Sequence, residues 1–428
     1  MEELLHYIWK HKIFPLKELY TTTGATIEVI DSGLPNSNAG PDFFNAKLKL
    51  NDTLWVGNVE IHTKASDWHK HGHTNDSAYD NVILHVVNES NDQVYRKNGE
   101  EIPQLILPIP SEIKERYAEL KAAEIQPPCY TILPTLPKLN VHAWLSALQV
   151  ERFQQKADLI AERLKRLNNH WEDAFFITLA RNFGFGLNGD TFEAWANGLP
   201  FRAIDKHRDN LTQIEAFFFG HAGLLEDEEC HDEYYLKLQK EYRYLRHKFS
   251  LNEPLSSSRW KFLRLRPGNF PHVRLAQLAS LYYREQALFS RLMEAETTDV
   301  VRKILSNIST SFYWEEHFVF QKSSPQRSKQ VGANALNLII INTVVPFLYA
   351  YGMHKGNDVL CHRATHFLEE LKAENNHIIR MWEGAGLSAE NAADSQALIQ
   401  LKKEYCDKRN CLRCRFGYEF LKRNKKSL

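Results

Sequence analysis

The hydrophobic period of this chain changes once, near residue 110, and that change restricts its fold more than any other feature. Before it, short segments carry apolar side chains in near alternation, as in Ile27 and Val29 of Thr26–Asp31 and Ala46, Leu48 and Leu50 of Phe43–Leu50. Alternation sets one face of a strand against a core. A third strand is expected over 54–62, after an Asn51-Asp52 hairpin turn, and a fourth, more apolar one over 81–87. A connection of some twenty residues between them leaves room for a crossover helix or an ordered loop. A short β segment at 104–108 closes the region, and residues 1–12, with Leu4, Leu5, Ile8 and Trp9 at helical spacing, open it as a helix ended by Phe14-Pro15. Residues 16–20 are expected to add a further helical turn.

After residue 110 the spacing is helical nearly to the end. Amphipathic segments fall at 111–124, 142–167, 171–183, 190–197, 206–219, 233–249, 272–295 and 298–307, then at 332–351, 358–371, 378–383 and 392–405. Gly, Pro and Asn separate most of them. The fold class is therefore α+β: a module over 1–110, then a large all-α domain over 111–428, with the break in or near the Pro-rich stretch 126–137. The length of 428 residues agrees with two or three domains.

Lys plus Arg and Asp plus Glu both number 53, so no global field draws the molecule to nucleic acid or an anionic membrane. The most apolar stretch, 335–350, falls short of a membrane span and carries Asn337, Asn342 and Pro346, which predicts a buried core helix. The N-terminal residues show no export signal, so the expected location is a reducing cytoplasm, where the six cysteines are thiols or metal ligands rather than disulfides.

Chemistry concentrates in Pro41-Asp42 and Glu60-Ile61-His62. On paired strands the two carboxylates converge at one edge, where oxygen ligands suit Mg²⁺ or Mn²⁺. Glu60 and His62, two apart, share a strand face, so His62 is placed to orient or deprotonate a metal-bound water, or to bind the metal itself. Asp42, an interval of 18, and Glu60-x-His62, in the order helix, three strands, connection, strand, resemble the PD-(D/E)XK nuclease superfamily over roughly residues 1–108. That resemblance implies an αβββαβ nuclease-like module cutting phosphodiesters in DNA or RNA. By it Asp42, Glu60 and the carbonyl of Ile61 are metal ligands, and Glu3 or Glu18 is an extra acidic group. His62 then stands in the lysine position, and Lys64 is a candidate replacement for the missing charge. The whole chain also resembles an uncharacterised bacterial family, the domain of unknown function family 2851, through residues 38–43, 59–73, 266–271 and the terminal cysteines. This implies one architecture along the full length and no established activity.

Three further groups are candidates. His69, His71 and His73 alternate, with Asp67, Asp76 and Asp80 nearby; on an extended loop they would point one way and bind Zn²⁺, Mn²⁺ or a substrate, with Trp68 as anchor. His85, inside an apolar strand, is expected to be a satisfied core residue. Cys406-x4-Cys411-x2-Cys414 is a metal knuckle for Zn²⁺ or an iron–sulfur cluster, with Cys361, His362, His366 or Cys129 as fourth ligand. Arg266 and Arg274 suit phosphate contact or helix packing. The only dense basic cluster, Arg409, Arg413, Arg415, Lys422, Arg423, Lys425 and Lys426, is a possible nucleic-acid footprint. Beside the nuclease, two other functions remain open: a non-catalytic nucleic-acid-binding protein on the same fold, and a small-molecule metallohydrolase using the histidine loop.

Overall fold

The computed structural model describes residues 1–14, 18–36, 38–306, 308 and 310–423. The fold is α+β, as the change of period predicts. Contacts divide the chain into two units, Met1–Leu136 with Lys402–Leu428, and Pro137–Leu401.

The first unit is built on a sheet ordered β1-β2-β4-β5-β6-β7, with β3 also on β4. Its members are β1 (Leu19–Tyr20), β2 (Thr26–Asp31), β3 (Leu34–Pro35), β4 (Phe43–Leu50), β5 (Thr53–Lys64), β6 (Val82–Glu89) and β7 (Gln104–Ile106). β2, β4 and β5 run antiparallel, and β6 and β7 continue parallel to β5. A parallel neighbour demands a crossover, and the link from β5 to β6 supplies one through the short helix α2 (Asp67–Lys70) and two 3₁₀ turns. α1 (Glu2–Lys10) buries Leu4, Leu5, Tyr7, Ile8 and Trp9, and the Trp9 indole N–H donates to the Ser32 carbonyl at 3.0 Å. The extra helical turn expected at 16–20 is corrected: Leu19–Tyr20 pairs with Thr26–Ile27 as an edge strand, while Leu16 and Lys17 lie outside the described residues.

The units part at Leu136/Pro137, at the end of the Pro-rich stretch, rather than at 110 where the period changes. α3 (Ser111–Ala122) stays with the first unit, held by Arg116 donating to the Leu421 carbonyl at 2.8 Å and by Arg409 donating to the carbonyls of Leu120 and Ala123 at 3.2 and 2.6 Å. The cysteine segment therefore belongs to the sheet unit rather than the helical domain. Local periodicity marks the type of element, whereas a layered unit can add helices to a sheet without a change of core.

The second unit is helical, led by the 29-residue helix Lys138–Arg166. Its core is aromatic, with Phe175, Phe176, Phe183, Phe192, Trp195, Phe217 and Trp314 fully buried, each worth on the order of 1.5–3 kcal/mol of hydrophobic burial. The stretch 335–350 lies in a continuous helix, Ala333–Lys355, whose most apolar window is 67% buried. It is a core helix of this unit.

Candidate metal centre

Strand pairing brings the two carboxylates together. Phe43 lies opposite Val59 across β4 and β5, so Asp42 and Glu60 meet at one end of that pair. Each carboxylate accepts from the backbone of the facing strand: Asp42 N–H donates to Glu60 Oε2 at 3.1 Å, and Ile61 N–H donates to Asp42 Oδ2 at 2.9 Å. The separation of Asp42 and Glu60 in sequence is thus closed by the register.

Three imidazoles join them. His62 Nε2 lies 3.5 Å from Glu60 Oε1 and 3.1 Å from His71 Nδ1, and His73 Nε2 lies 3.2 Å from Glu60 Oε1. One ligating atom from each of His62, His71 and His73 falls within 4.8 Å of the others. The loop is not extended as expected. α2 winds Asp67–Lys70, and Gly72, at φ 74°, reverses the chain so that His71 and His73 face the strand. A helical turn sends His69 elsewhere: its Nε2 lies 3.3 Å from the Gln93 carbonyl and 3.6 Å from Asp92. His69 is therefore not brought to the cluster. Nor are Asp67 and Asp76, which accept from Lys64 N–H and Ala78 N–H at 3.2 and 2.9 Å. Lys64 pairs with Glu89 at 3.4 Å.

Two residues of the cluster lie outside the set that spacing suggested. His6 on α1 places Nε2 3.2 Å from Asp42 Oδ2. The only available signal was a polar residue within the run Leu4-Leu5-His6-Tyr7-Ile8-Trp9. His85, expected to be a satisfied core group, touches His62 instead, Nε2 to Nδ1 at 2.9 Å, and its Nδ1 is buried without a hydrogen-bond partner. Tyr79 stacks on His73 with ring centroids 3.8 Å apart, and Trp68 sits edge-on to it, its N–H donating to Thr74 at 3.0 Å.

The electrostatics follow from burial. Glu60 is 4% exposed, and desolvation, then the charge of Asp42, holds its carboxyl far above the usual carboxylate range. Desolvation takes His62 and His85 down to about 3, with the neighbouring imidazoles adding to it, so both are neutral at pH 7. Burial would lower His6 as well, but its contact with Asp42 outweighs that and raises it. His73 Nε2 is buried and, despite its 3.2 Å approach to Glu60, in no hydrogen-bond geometry. Imidazole nitrogens and carboxylate oxygens thus turn toward one another in a buried cluster.

A second cluster lies in the same unit. Cys129, Cys406, Cys411 and Cys414 are all buried and unbridged. Cys129 precedes the 3₁₀ turn Tyr130–Thr135, which packs on the helix Arg415–Lys422 that Cys414 caps. Burial raises the Cys129 thiol, and Cys414, Cys406 and Cys411 raise it further. Of the candidates for a fourth position, Cys129 lies in the same unit as Cys406, Cys411 and Cys414, whereas Cys361, His362 and His366 belong to the other unit.

The arginines divide. Arg274 is buried and Arg266 exposed, both in the helical unit. In the terminal basic cluster, Arg409 is spent on carbonyls and Arg415 pairs with Glu419 at 3.3 Å; Arg413 is exposed, and Lys425 and Lys426 lie outside the described residues.

No curated protein and no solved structure matches the chain. A family described as "Protein of unknown function (DUF2851)" matches residues 2–377, which span the sheet, the histidine cluster and most of the helical unit. On that coverage, the chain belongs to the DUF2851 family of proteins of unknown function.

Proposed function

We propose that the chain is a metal-dependent phosphodiester hydrolase whose ion is held by Asp42, Glu60, His62, His71 and His73. The observation that carries this reading is the meeting of two carboxylates and three imidazoles at one end of β4 and β5, with the buried His73 Nε2 left without a hydrogen-bond partner. A divalent cation is the group that makes such a set favourable, because it offsets carboxylate repulsion and takes imidazole lone pairs. Three imidazoles favour Mn²⁺ or Zn²⁺ over the Mg²⁺ that a carboxylate pair alone suggests. When bound, the ion polarises a phosphoryl oxygen and acidifies a water. The exposed His71 forms the solvent side of the cluster, while His62, buried and neutral, keeps a nitrogen lone pair free of protonation for a metal.

The strand order, with Asp42 and Glu60-Ile61-His62 on neighbouring antiparallel strands before a parallel one, supports likening this unit to the PD-(D/E)XK nucleases. His62 cannot carry the charge of the lysine whose place it takes; His6, whose pKa the contact with Asp42 raises, is the group beside the carboxylates placed to supply it. The test is hydrolysis of single-stranded DNA, duplex DNA, RNA and a nitrophenyl phosphodiester with Mn²⁺, Zn²⁺ or Mg²⁺, in wild type, Glu60→Gln and His73→Ala. Metal-dependent cleavage lost in both variants is expected. Equal activity in wild type and Glu60→Gln would falsify the assignment.

One observation favours the small-molecule metallohydrolase as a second reading. Lys64 and Lys70 beside the site are neutralised by Glu89 and Asp67, which leaves little charge there to track a nucleic-acid backbone. Cleavage of the nitrophenyl substrate without cleavage of any polynucleotide is its signature.

Cys129, Cys406, Cys411 and Cys414 are proposed as a structural thiolate centre. The C-x4-C-x2-C spacing accommodates Zn²⁺ or an iron–sulfur cluster, and four buried thiols call for a reducing, cytoplasmic location. Metal analysis of anaerobically purified Cys129→Ser against wild type decides whether the four act together.

A further inference from the structure

The helical unit contains a cleft of about 880 Å³ lined by four cationic side chains, Arg266, Arg274, Arg327 and Lys329. No carboxylate lines it; its other polar groups are amides and a hydroxyl, among them Asn269, Gln277 and Gln330. Arg274 is the unusual member. It is 6% exposed, its guanidinium lies 4.3 Å over the Phe185 ring, and its two terminal nitrogens donate to neutral amides, Gln277 at 2.8 Å and Asn269 at 2.6 Å. Its Nε is buried with no hydrogen-bond partner. Among the described residues no carboxylate is paired with it. Lys329, also 6% exposed, spends one proton on the Glu315 carbonyl at 2.6 Å and lies 4.3 Å from the Phe318 ring.

Burying a guanidinium without a counter-charge is costly, and the ordinary compensation is a carboxylate or a bound oxyanion. The fold provides the polar scaffold to hold Arg274 still: Gln277 takes its Nη1 and anchors itself by donating to the Lys329 carbonyl at 2.7 Å. An arginine fixed this way keeps N–H groups beyond the two given to amides, and with Arg266 and Arg327 exposed at the rim the cleft offers several guanidinium donors to a tetrahedral oxyanion.

We propose that this cleft binds a small phosphate-bearing ligand, inorganic phosphate, pyrophosphate or a phosphate ester, through Arg274 with Arg266, Arg327 and Lys329. The depth of Arg274 favours a free ligand over a polynucleotide backbone, which is tied to its neighbours and cannot enter so far. The site is independent of the hydrolase reading; its residues all belong to the helical unit.

The experiment is calorimetric titration of the full-length protein with pyrophosphate and with inorganic phosphate at matched ionic strength, alongside a single-stranded oligonucleotide. Saturable pyrophosphate binding is expected. Arg266→Ala and Arg327→Ala, both at exposed positions, each weaken it roughly tenfold, the scale of one charge-assisted contact. Arg274→Lys keeps the charge but loses the fork and weakens binding at least as much, and an unchanged melting profile confirms that it folds. Absence of binding by either small anion, binding indifferent to all three substitutions, or binding of the oligonucleotide alone overturns the proposal.

Discussion

Glu60 and Glu215 are both glutamates driven into the interior of their units, and their surroundings are opposite in kind. Glu215, on the helix Leu211–His221 and 1% exposed, accepts from the Tyr234 hydroxyl and from Ser311 Oγ at 2.9 Å. It has hydroxyl donors and no carboxylate against it. Burial still pushes its pKa up to about 7, and the hydroxyls hold it from rising further. Glu60 has a second carboxylate and two imidazoles against it, and among the described residues the hydrogen bond drawn to it comes from the Asp42 backbone. The helical unit shows how a buried acid is made part of a core. The sheet unit holds an arrangement that a core does not need, and such frustrated clusters are where chemistry is found.

The sharpest way to break this comparison is Glu60→Gln. In metal-free protein it relieves the repulsion with Asp42 and raises the thermal midpoint, while metal-dependent hydrolysis falls roughly 10³-fold or more, the range of a lost general base or charge anchor. Thermal unfolding and kcat/KM on one preparation check both halves; a lower midpoint would show that Glu60 is structural. Glu215→Ala should do the reverse. It leaves a cavity and removes the acceptor of two hydroxyls, costs about 3 kcal/mol in denaturant unfolding, and leaves hydrolysis untouched.

The pH dependence of the helical unit sharpens the same point. Glu215 rises from 4.5 to about 7 on folding, so the folded state keeps a proton that the unfolded chain releases. Its contribution is fully present below pH 4.5 and is lost as pH rises to about 7, about 3 kcal/mol in all at about 1.4 kcal/mol per tenfold in proton affinity. Denaturation curves across that window should show this slope in wild type and not in Glu215→Gln. At the other cluster, His71→Ala should weaken Mn²⁺ or Zn²⁺ binding by at least the roughly 10–100-fold that even an outer-shell partner costs. The smallest effect is expected of His69→Ala. It shifts stability by no more than about 0.5 kcal/mol and leaves metal affinity unchanged, since its contacts are Gln93 and Asp92.

Much of the scaffold was legible from short-range pattern. Alternation located β2, β4 and β5, and the twenty-residue link before an apolar strand left room for the crossover that the parallel pairing of β5 and β6 uses. The shared face of Glu60 and His62 follows from the two-residue period of any strand. The histidine loop was harder, because the same alternation His69, His71, His73 reads as one face of an extended loop and as two faces once a helical turn intervenes. Gly72 hinted at a reversal, yet only its left-handed φ fixes which two imidazoles return to the strand.

By itself, then, the sequence determined the α+β order, the carboxylate pair on neighbouring strands and the thiol spacing Cys406-x4-Cys411-x2-Cys414, all properties of local period and turn chemistry. The tertiary structure decided the rest: His6 arriving from α1, His85 from β6, Cys129 from a turn far along the chain, and Arg274 sinking into a cleft without a counter-ion. Those choices depend on how helices and loops pack across long separations. There the free energy of burial selects the contact, and no residue's neighbours in sequence encode it.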